Sequence, residues 1–162
     1  MLPLASSSPM ANPHPLTHSC RWGLLGLSQI AVNYAAPAIA ATANNEIVAV
    51  ATTHPEKGKS WALNHPGQRI YSSYEELLQD RQIDAIYLSL PHRMHHAWAL
   101  AAINTGKHLL IEKPLALTRK DAQAIYTAAQ AAHVLVWEGF MWRHQVCLPE
   151  ILQIATNPQH PL

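Results

Sequence analysis

Five short stretches carry residue types able to hold an anion or move a proton. Gly26-Leu27-Ser28-Gln29-Ile30-Ala31 has the outline G-x-G-x-x-G/A, with serine in place of the second glycine. Opening into a helix, such a turn aims backbone amides at a pyrophosphate. Serine adds a hydroxymethyl that can crowd the anion or donate a hydrogen bond to it. A glycine turn between strand and helix is equally a structural necessity, so the motif needs support from elsewhere in the chain. Thr52-Thr53-His54, with Lys57 and Lys59 just after, ends an apolar run and offers no acid. A carboxylate at that place would take the ribose diol of NAD. Hydroxyls, an imidazole and nearby ammonium groups suit a 2′-phosphate better, which favours NADP; the competing reading is an ordinary solvated loop.

The other three stretches are Leu90-Pro91-His92-Arg93-Met94-His95-His96, Glu112-Lys113-Pro114 and Glu138-Gly139-Phe140-Met141-Trp142-Arg143. Lys113 has the chemistry of a proton acceptor. As hydride leaves a carbinol carbon the hydroxyl sheds a proton, and a neutral amine nearby would take it. Desolvation beside a cationic ring would lower the lysine pKa toward working pH. The plainer alternative is a surface lysine behind an edge strand. His92 and His96 stand one helical turn apart, but no cysteine or carboxylate falls within that turn, so no metal site is expected. Trp98, Leu100 and Ile103 read as the buried stripe of the same helix.

Elements of alternating type must position these groups. Short β-rich runs fall at Trp22–Leu25, Glu46–Thr52, Ala85–Leu90, His108–Ile111 and Val134–Trp137. Segments of helical length lie between or beside them, at Gln29–Ala43, Pro55–Asn64, Tyr74–Asp80, Met94–Thr105 and Arg119–Ala132. Ser73 with Glu76 predicts a capping box, and Thr118 with Asp121 a helix start with an acid in its first turn. Asn44 and Gly106 close helices in the left-handed conformation. Pro37 predicts a kink or restart in the first helix, because it removes a backbone donor. Strands apolar at nearly every position need cover on both faces. Strand and helix in alternation therefore predict an α/β fold, a doubly wound parallel sheet with right-handed crossovers. The polar ends of the runs then share the carboxyl edge with the glycine turn.

Composition narrows the function classes. The 162 residues are 49% apolar and 13% charged, and Lys plus Arg at 11 nearly balances Asp plus Glu at 10. A net charge of +1 gives no basic field for nucleic acid. No run reaches the length of a membrane span. Two cysteines without a CxxC pair argue against a disulfide framework or a thiolate zinc site. The expected compartment is the cytoplasm. Residues 1–20 are rich in Ser and Pro, lack Asp, Glu, Lys and Arg, and are expected to be a disordered leader.

Taken together the stretches resemble the Gfo/Idh/MocA family of NAD(P)-dependent oxidoreductases, in order and spacing from Arg21 to Glu150. The family's Ala-Gly-Lys-His-Val-Leu-x-Glu-Lys-Pro-Leu-Ala is matched by the twelve residues from Thr105-Gly106-Lys107-His108 through Glu112-Lys113-Pro114 to Leu115-Ala116. Leu90–Pro91 with His95, His96 and Trp98, and the segment Phe140 to Arg143, are similar to its dihydrodiol and D-xylose dehydrogenase branch, typically NADP-linked.

The resemblance implies a Rossmann domain over 21–145. It also implies the start of a linker helix over 146–162, leading toward a second α/β substrate domain that the 162 residues do not contain. Gly26, Ser28, Gln29 and Ile30 would hold the pyrophosphate. Thr53 and His54 stand where the family often has Ser-Arg or Arg-Asp. Leu90, Pro91 and His95 would line the ribose side, and Glu112 would bond the nicotinamide ribose. Lys113 would handle the proton, followed by a cis Lys113–Pro114 bond. Trp142 and Arg143 would approach from the last strand. The implied cofactor is NADP, with NAD as the alternative, and the implied substrate a small sugar, polyol or diol. Weak or no turnover by the chain alone is expected, with cofactor binding retained, unless an oligomeric partner or complementing subunit completes the site. The surface around Phe140, Met141, Trp142 and Leu148 would then be left exposed or re-covered. A non-catalytic NAD(P)-binding or redox-sensing module and a truncated gene product remain the other readings.

Overall fold

Strands that are apolar along their length can be buried only between two covered faces, and this sets their order. A computed structural model describes residues 19–145, 147–149, 151 and 153. The leader expected over 1–20 and the linker helix expected over 146–162 lie largely outside the described residues. Strands β1 (Cys20–Leu25), β2 (Asn45–Ala51), β3 (Arg69–Tyr71), β4 (Ala85–Leu88), β5 (His108–Glu112) and β6 (Val136–Gly139) form one parallel sheet in the order β3-β2-β1-β4-β5-β6. All four residues of the central β4 are buried. This is the doubly wound sheet that the alternation predicts.

Winding outward from β1 to β3 and then returning beside β1 as β4 places helices on opposite faces. The first helix spans 29–41 and contains a π-helical turn, Ala31–Ala35, before α1 (Ala36–Ala41). Pro37 has no N–H to give the ladder, and just ahead of it the bonding slips, with Ala36 N donating to Ala31 O before the helix restarts. This helix and α2 (Pro55–Asn64) cover Leu24, Ile47, Val50 and Tyr87 with Ala31, Ala36, Ile39 and Trp61. On the other face α3 (Tyr74–Gln79), α4 (His92–Asn104) and α5 (Arg119–Ala132) close over Leu25, Ile86, Leu88 and Ile111.

The helix starts form where their side chains predict. Thr118 Oγ1 accepts from Asp121 N at 3.1 Å. Ser73 Oγ accepts from Glu76 N at 3.3 Å, and its hydroxyl donates to the Glu75 carboxylate at 2.6 Å. Asn44 and Gly106 adopt φ of 60° and 74°.

Three features depart from the sequence reading. β3 is absent from the five β-rich runs because it is a three-residue edge strand with Ile70 exposed. α4 begins at His92 rather than Met94, so His92 stands in its first turn. β6 is shifted two residues toward Gly139, and Trp137 is 63% exposed, so this strand lacks cover on one face. The helices of that face cluster with side chains of β1, β2 and β4 and with Leu110 of β5, and no β6 residue joins that cluster. Met141 and Trp142 are exposed, whereas Phe140 and Leu148 are half-buried. Among the described residues no helix is long and apolar enough to cross a membrane.

Candidate functional site

The register lines up the strand ends. Leu25 pairs with Ala51 and with Leu88, and Leu88 pairs with Ile111. Gly26, Thr52, Ser89 and Glu112 are therefore the next row along a single carboxyl edge. The strand order reverses between β1 and β4, which is where an open α/β sheet leaves a crevice. Neighbouring strands lie about 5 Å apart, so Gly26 after β1 and Lys113 after β5 stand about 10 Å apart along that edge.

At the crevice a groove of about 540 Å³ is lined by Gly26, Ser28, Thr52, His54, Lys57 and Tyr74, and on its other wall by Ser89, Leu90, Pro91 and His92. Its volume is that of a small-molecule site. Gly26 holds φ +91°, and a Cβ there would lie 2.7 Å from Leu90 Cδ2. Only glycine makes this turn without strain or a clash against the opposite wall. Ser89 Oγ donates to Gly26 O at 3.2 Å and fixes the two walls together. Ser28 Oγ accepts from Ala31 N at 3.1 Å. It thus caps the helix and keeps its own hydrogen free to donate into the groove. The first-turn amides of residues 28–30 have no acceptor within the helix and point toward the same end.

At the tip of β2, Thr52 is buried and lines the groove, whereas Thr53 is exposed and does not. Thr52 Oγ1 accepts from His54 N at 3.2 Å. Lys57 reaches back from the first turn of α2, its Nζ 3.1 Å from Leu27 O. The cation nearest the glycine turn is therefore a helix residue four positions after Thr53. Lys59 instead pairs with Glu56 at 2.9 Å. Gln29 opens onto an adjoining groove of about 620 Å³ between the first helix and α2, which shares Leu27, Ser28 and Lys57.

The other half of the edge is built on β5. Glu112 is buried, and the equally buried Tyr87 hydroxyl donates to its Oε1 at 2.6 Å. Burial and the adjacent carboxylate push the phenol pKa well above its ordinary value, so the hydroxyl remains a donor. Lys113 is exposed, and the Lys113–Pro114 bond is cis. Beyond it, Leu115 N donates to Glu138 Oε1 at 2.8 Å. The residues on both sides of Lys113 are thus fixed while its own side chain is free. Lys107, six residues earlier, has the opposite environment. It lies at the far edge of the sheet, buried, and donates to Asp80 O and Ile83 O at 2.7 and 2.9 Å.

Gly26, Ser28, His54, Leu90 and Pro91 share one groove, while Glu112 and Lys113 stand further along the same edge. His95 does not line the groove. Its ring is fully buried beneath it, with Nδ1 and Nε2 each 2.8 Å from a carbonyl oxygen, of Pro114 and Leu90 respectively. Trp142 and Arg143 lie exposed on a 3-10 turn, Met141–His144, after β6. His96 faces Asp121 at 3.8 Å. Among the described residues no three His, Cys, Asp or Glu side chains are grouped to hold a metal. Sequence reasoning did not single out Tyr87 or Ser89, and it placed Glu138 in a polar strand end without giving it a role. Tyr87 meets Glu112 only because β4 and β5 are neighbours in a register pairing Tyr87 with Leu110.

Comparison with known proteins agrees with this geometry. The model of the oxidoreductase family with an NAD-binding Rossmann fold, GFO_IDH_MocA, matches residues 20–140. The 1,5-anhydro-D-fructose reductase of Ensifer adhaerens is 41% identical over 116 residues, 72% of this chain and 34% of that protein. The trans-1,2-dihydrobenzene-1,2-diol dehydrogenase of Xenopus tropicalis is 33% identical over 138 residues, 85% of this chain and 42% of that protein. KijD10, a 3-ketoreductase from Actinomadura kijaniata crystallised with NADP and TDP-benzene, superposes with a TM-score of 0.79 at 30% identity, over 85% of this chain and 42% of its own. The chain thus spans roughly 34–42% of the length of these relatives.

Proposed function

The chain belongs to the Gfo/Idh/MocA oxidoreductase family, and from that premise we propose that its carboxyl edge binds NADP in preference to NAD for hydride transfer at the CH–OH group of a small sugar, polyol or diol. One observation carries the proposal. The glycine turn and Lys113 follow parallel strands of one sheet, so both stand at the same edge, one on each side of β4. In this reading the amides of Ser28, Gln29 and Ile30 bind the pyrophosphate, and Gly26 lets it approach. Thr52 and His54, rather than the outward Thr53, face the adenosine ribose, and Lys57 supplies the charge for its 2′-phosphate. Leu90 and Pro91 wall the ribose side. Glu112, held by Tyr87, accepts from the nicotinamide ribose hydroxyls, and Trp142 and Arg143 border the outer end.

A bound nicotinamide would supply the hydride chemistry, and Lys113 Nζ would take or return the hydroxyl proton. Positioning of the reactants supplies several kcal/mol of barrier reduction, roughly 7–11 in favourable cases. Lys113 is exposed here, and that exposure supports a chain that holds the cofactor but turns over slowly by itself.

Fluorescence titration with NADPH and NADH tests the reading. The wild-type chain should bind NADPH more tightly. Lys57→Ala should weaken NADPH about tenfold, the loss of one charge-assisted phosphate contact, and leave NADH within about twofold. The loss should shrink as salt is raised. Equal affinity for the two dinucleotides, or binding of neither, would overturn it.

A further inference from the structure

Between the end of β5 and the start of α5 the chain runs through residues 113–118 with no helix or strand of its own, and Lys113 opens that segment. A segment without a ladder keeps its shape through the groups that hold its backbone polar atoms. The tip of β6 meets it on both sides of the lysine. Before Lys113, Glu112 lies in register with Gly139. A Cβ at Gly139 would come within 3.4 Å of Glu112 Oε1, so the bare glycine leaves the carboxylate its place. After Lys113, Leu115 N donates to Glu138 Oε1 at 2.8 Å. Strand alternation turns the exposed Trp137 to one face and the half-buried Glu138 to the other. A half-buried carboxylate in a strand commonly does no more than satisfy a nearby amide. Glu138 is set apart by which amide it holds, since Leu115 stands two residues from Lys113 in a segment that has no other regular structure.

We propose that Glu138 is a positioning residue for proton transfer: by accepting from Leu115 N it fixes the turn that presents Lys113 at the carboxyl edge. The turn needs an acceptor at that reach rather than a charge, so glutamine should serve in its place, whereas alanine should not. The proposal rests on the cofactor reading above for what Lys113 does, but the tether itself needs no nucleotide.

Two arms on the full chain test it. In the first, without nucleotide, hydrogen exchange of the Leu115 amide should be slowed in wild type and in Glu138→Gln. In Glu138→Ala it should be about tenfold faster, the factor expected when one hydrogen bond is lost. Unprotected exchange in wild type, or unchanged exchange in a folded Glu138→Ala chain, would overturn the proposal. In the second arm an amine reagent labels Lys113 with and without saturating NADPH, read by peptide mass spectrometry. The nucleotide should shield Lys113 in wild type and in Glu138→Gln, and Glu138→Ala should lose that shielding. Asn45→Ala is the control for stability alone. It removes the acceptor that Trp22 Nε1 meets at 2.6 Å, at the start of β2 and so at the opposite edge of the sheet, and both readouts should stay at wild-type values. Wild-type shielding in a folded Glu138→Ala chain would overturn the proposal. So would an equal loss in Glu138→Gln or Asn45→Ala, which would make the effect one of charge or of general stability. Should Glu138→Ala not fold, the Leu115 exchange in wild type and Glu138→Gln decides. Failure of the wild-type chain to bind NADPH would overturn the cofactor reading instead, and the same exchange would still judge the tether.

Discussion

Replacing Tyr87 with Phe removes a single oxygen and tests how the ribose-facing carboxylate is held. The ring is 2% exposed and Glu112 is 9% exposed, and their contact is 2.6 Å, within the range of a charge-assisted O–H···O⁻ bond. Phe keeps the packing and leaves a buried carboxylate without that donor. Hydrogen bonds to charged groups contribute about 1.5–3 kcal/mol, so Tyr87→Phe should destabilise by about 2 kcal/mol. For a domain of this size that lowers the thermal midpoint by about 4–8 °C. Glu112→Gln should cost less, since its amide oxygen still accepts. A double-mutant cycle in urea, read by tryptophan fluorescence, should return a coupling of about 1–2 kcal/mol. The pH dependence has a definite sign. Folding raises the phenol pKa, so the bond's contribution is complete below the ordinary tyrosine value of about 10 and is lost as pH climbs beyond it. The gap between wild type and Tyr87→Phe should be flat from about pH 6 to 9 and narrow above about 10. A variant as stable as wild type, or a cycle additive within about 0.5 kcal/mol, would refute the reasoning.

Three further changes have worked-out outcomes. Gly26→Ala combines a left-handed φ with a 2.7 Å approach to Leu90 Cδ2, so denaturant melts should show a loss of about 1–2 kcal/mol, and titration a weaker NADPH complex. Lys107→Met strips the donor from two carbonyls, and urea unfolding should register about 2 kcal/mol. Burial lowers the Lys107 pKa, so the folded wild type sheds its proton before the unfolded chain does; its advantage over Lys107→Met should widen as pH rises toward the ordinary lysine value of about 10.5. Thr118→Ala should cost about 1 kcal/mol through loss of the cap on Asp121 N, measurable in the same melts.

Local chemistry was legible wherever it acts within a few residues. Pro37 foretells the slipped helix, Thr118 the start of α5, and Gly26 a turn that no other residue makes cheaply. Apolar runs foretell buried parallel strands, and alternation with helices foretells which ends share an edge, so Gly26, Leu90 and Lys113 could be placed together from order alone. What spacing cannot convey is which side chains meet across strands distant in sequence. Tyr87 reaches Glu112 across 25 positions, Leu115 reaches Glu138 across 23, and His95 reaches Pro114 across 19. Each contact depends on β4, β5 and β6 lying in that order at that register, a choice made by burial of whole faces rather than by any local motif. For the same reason two lysines six residues apart, both flanked by family motif residues, end as a buried strut at one edge and a free amine at the other. The sequence determined what each group can do; the packing of the sheet decided which of them face the crevice.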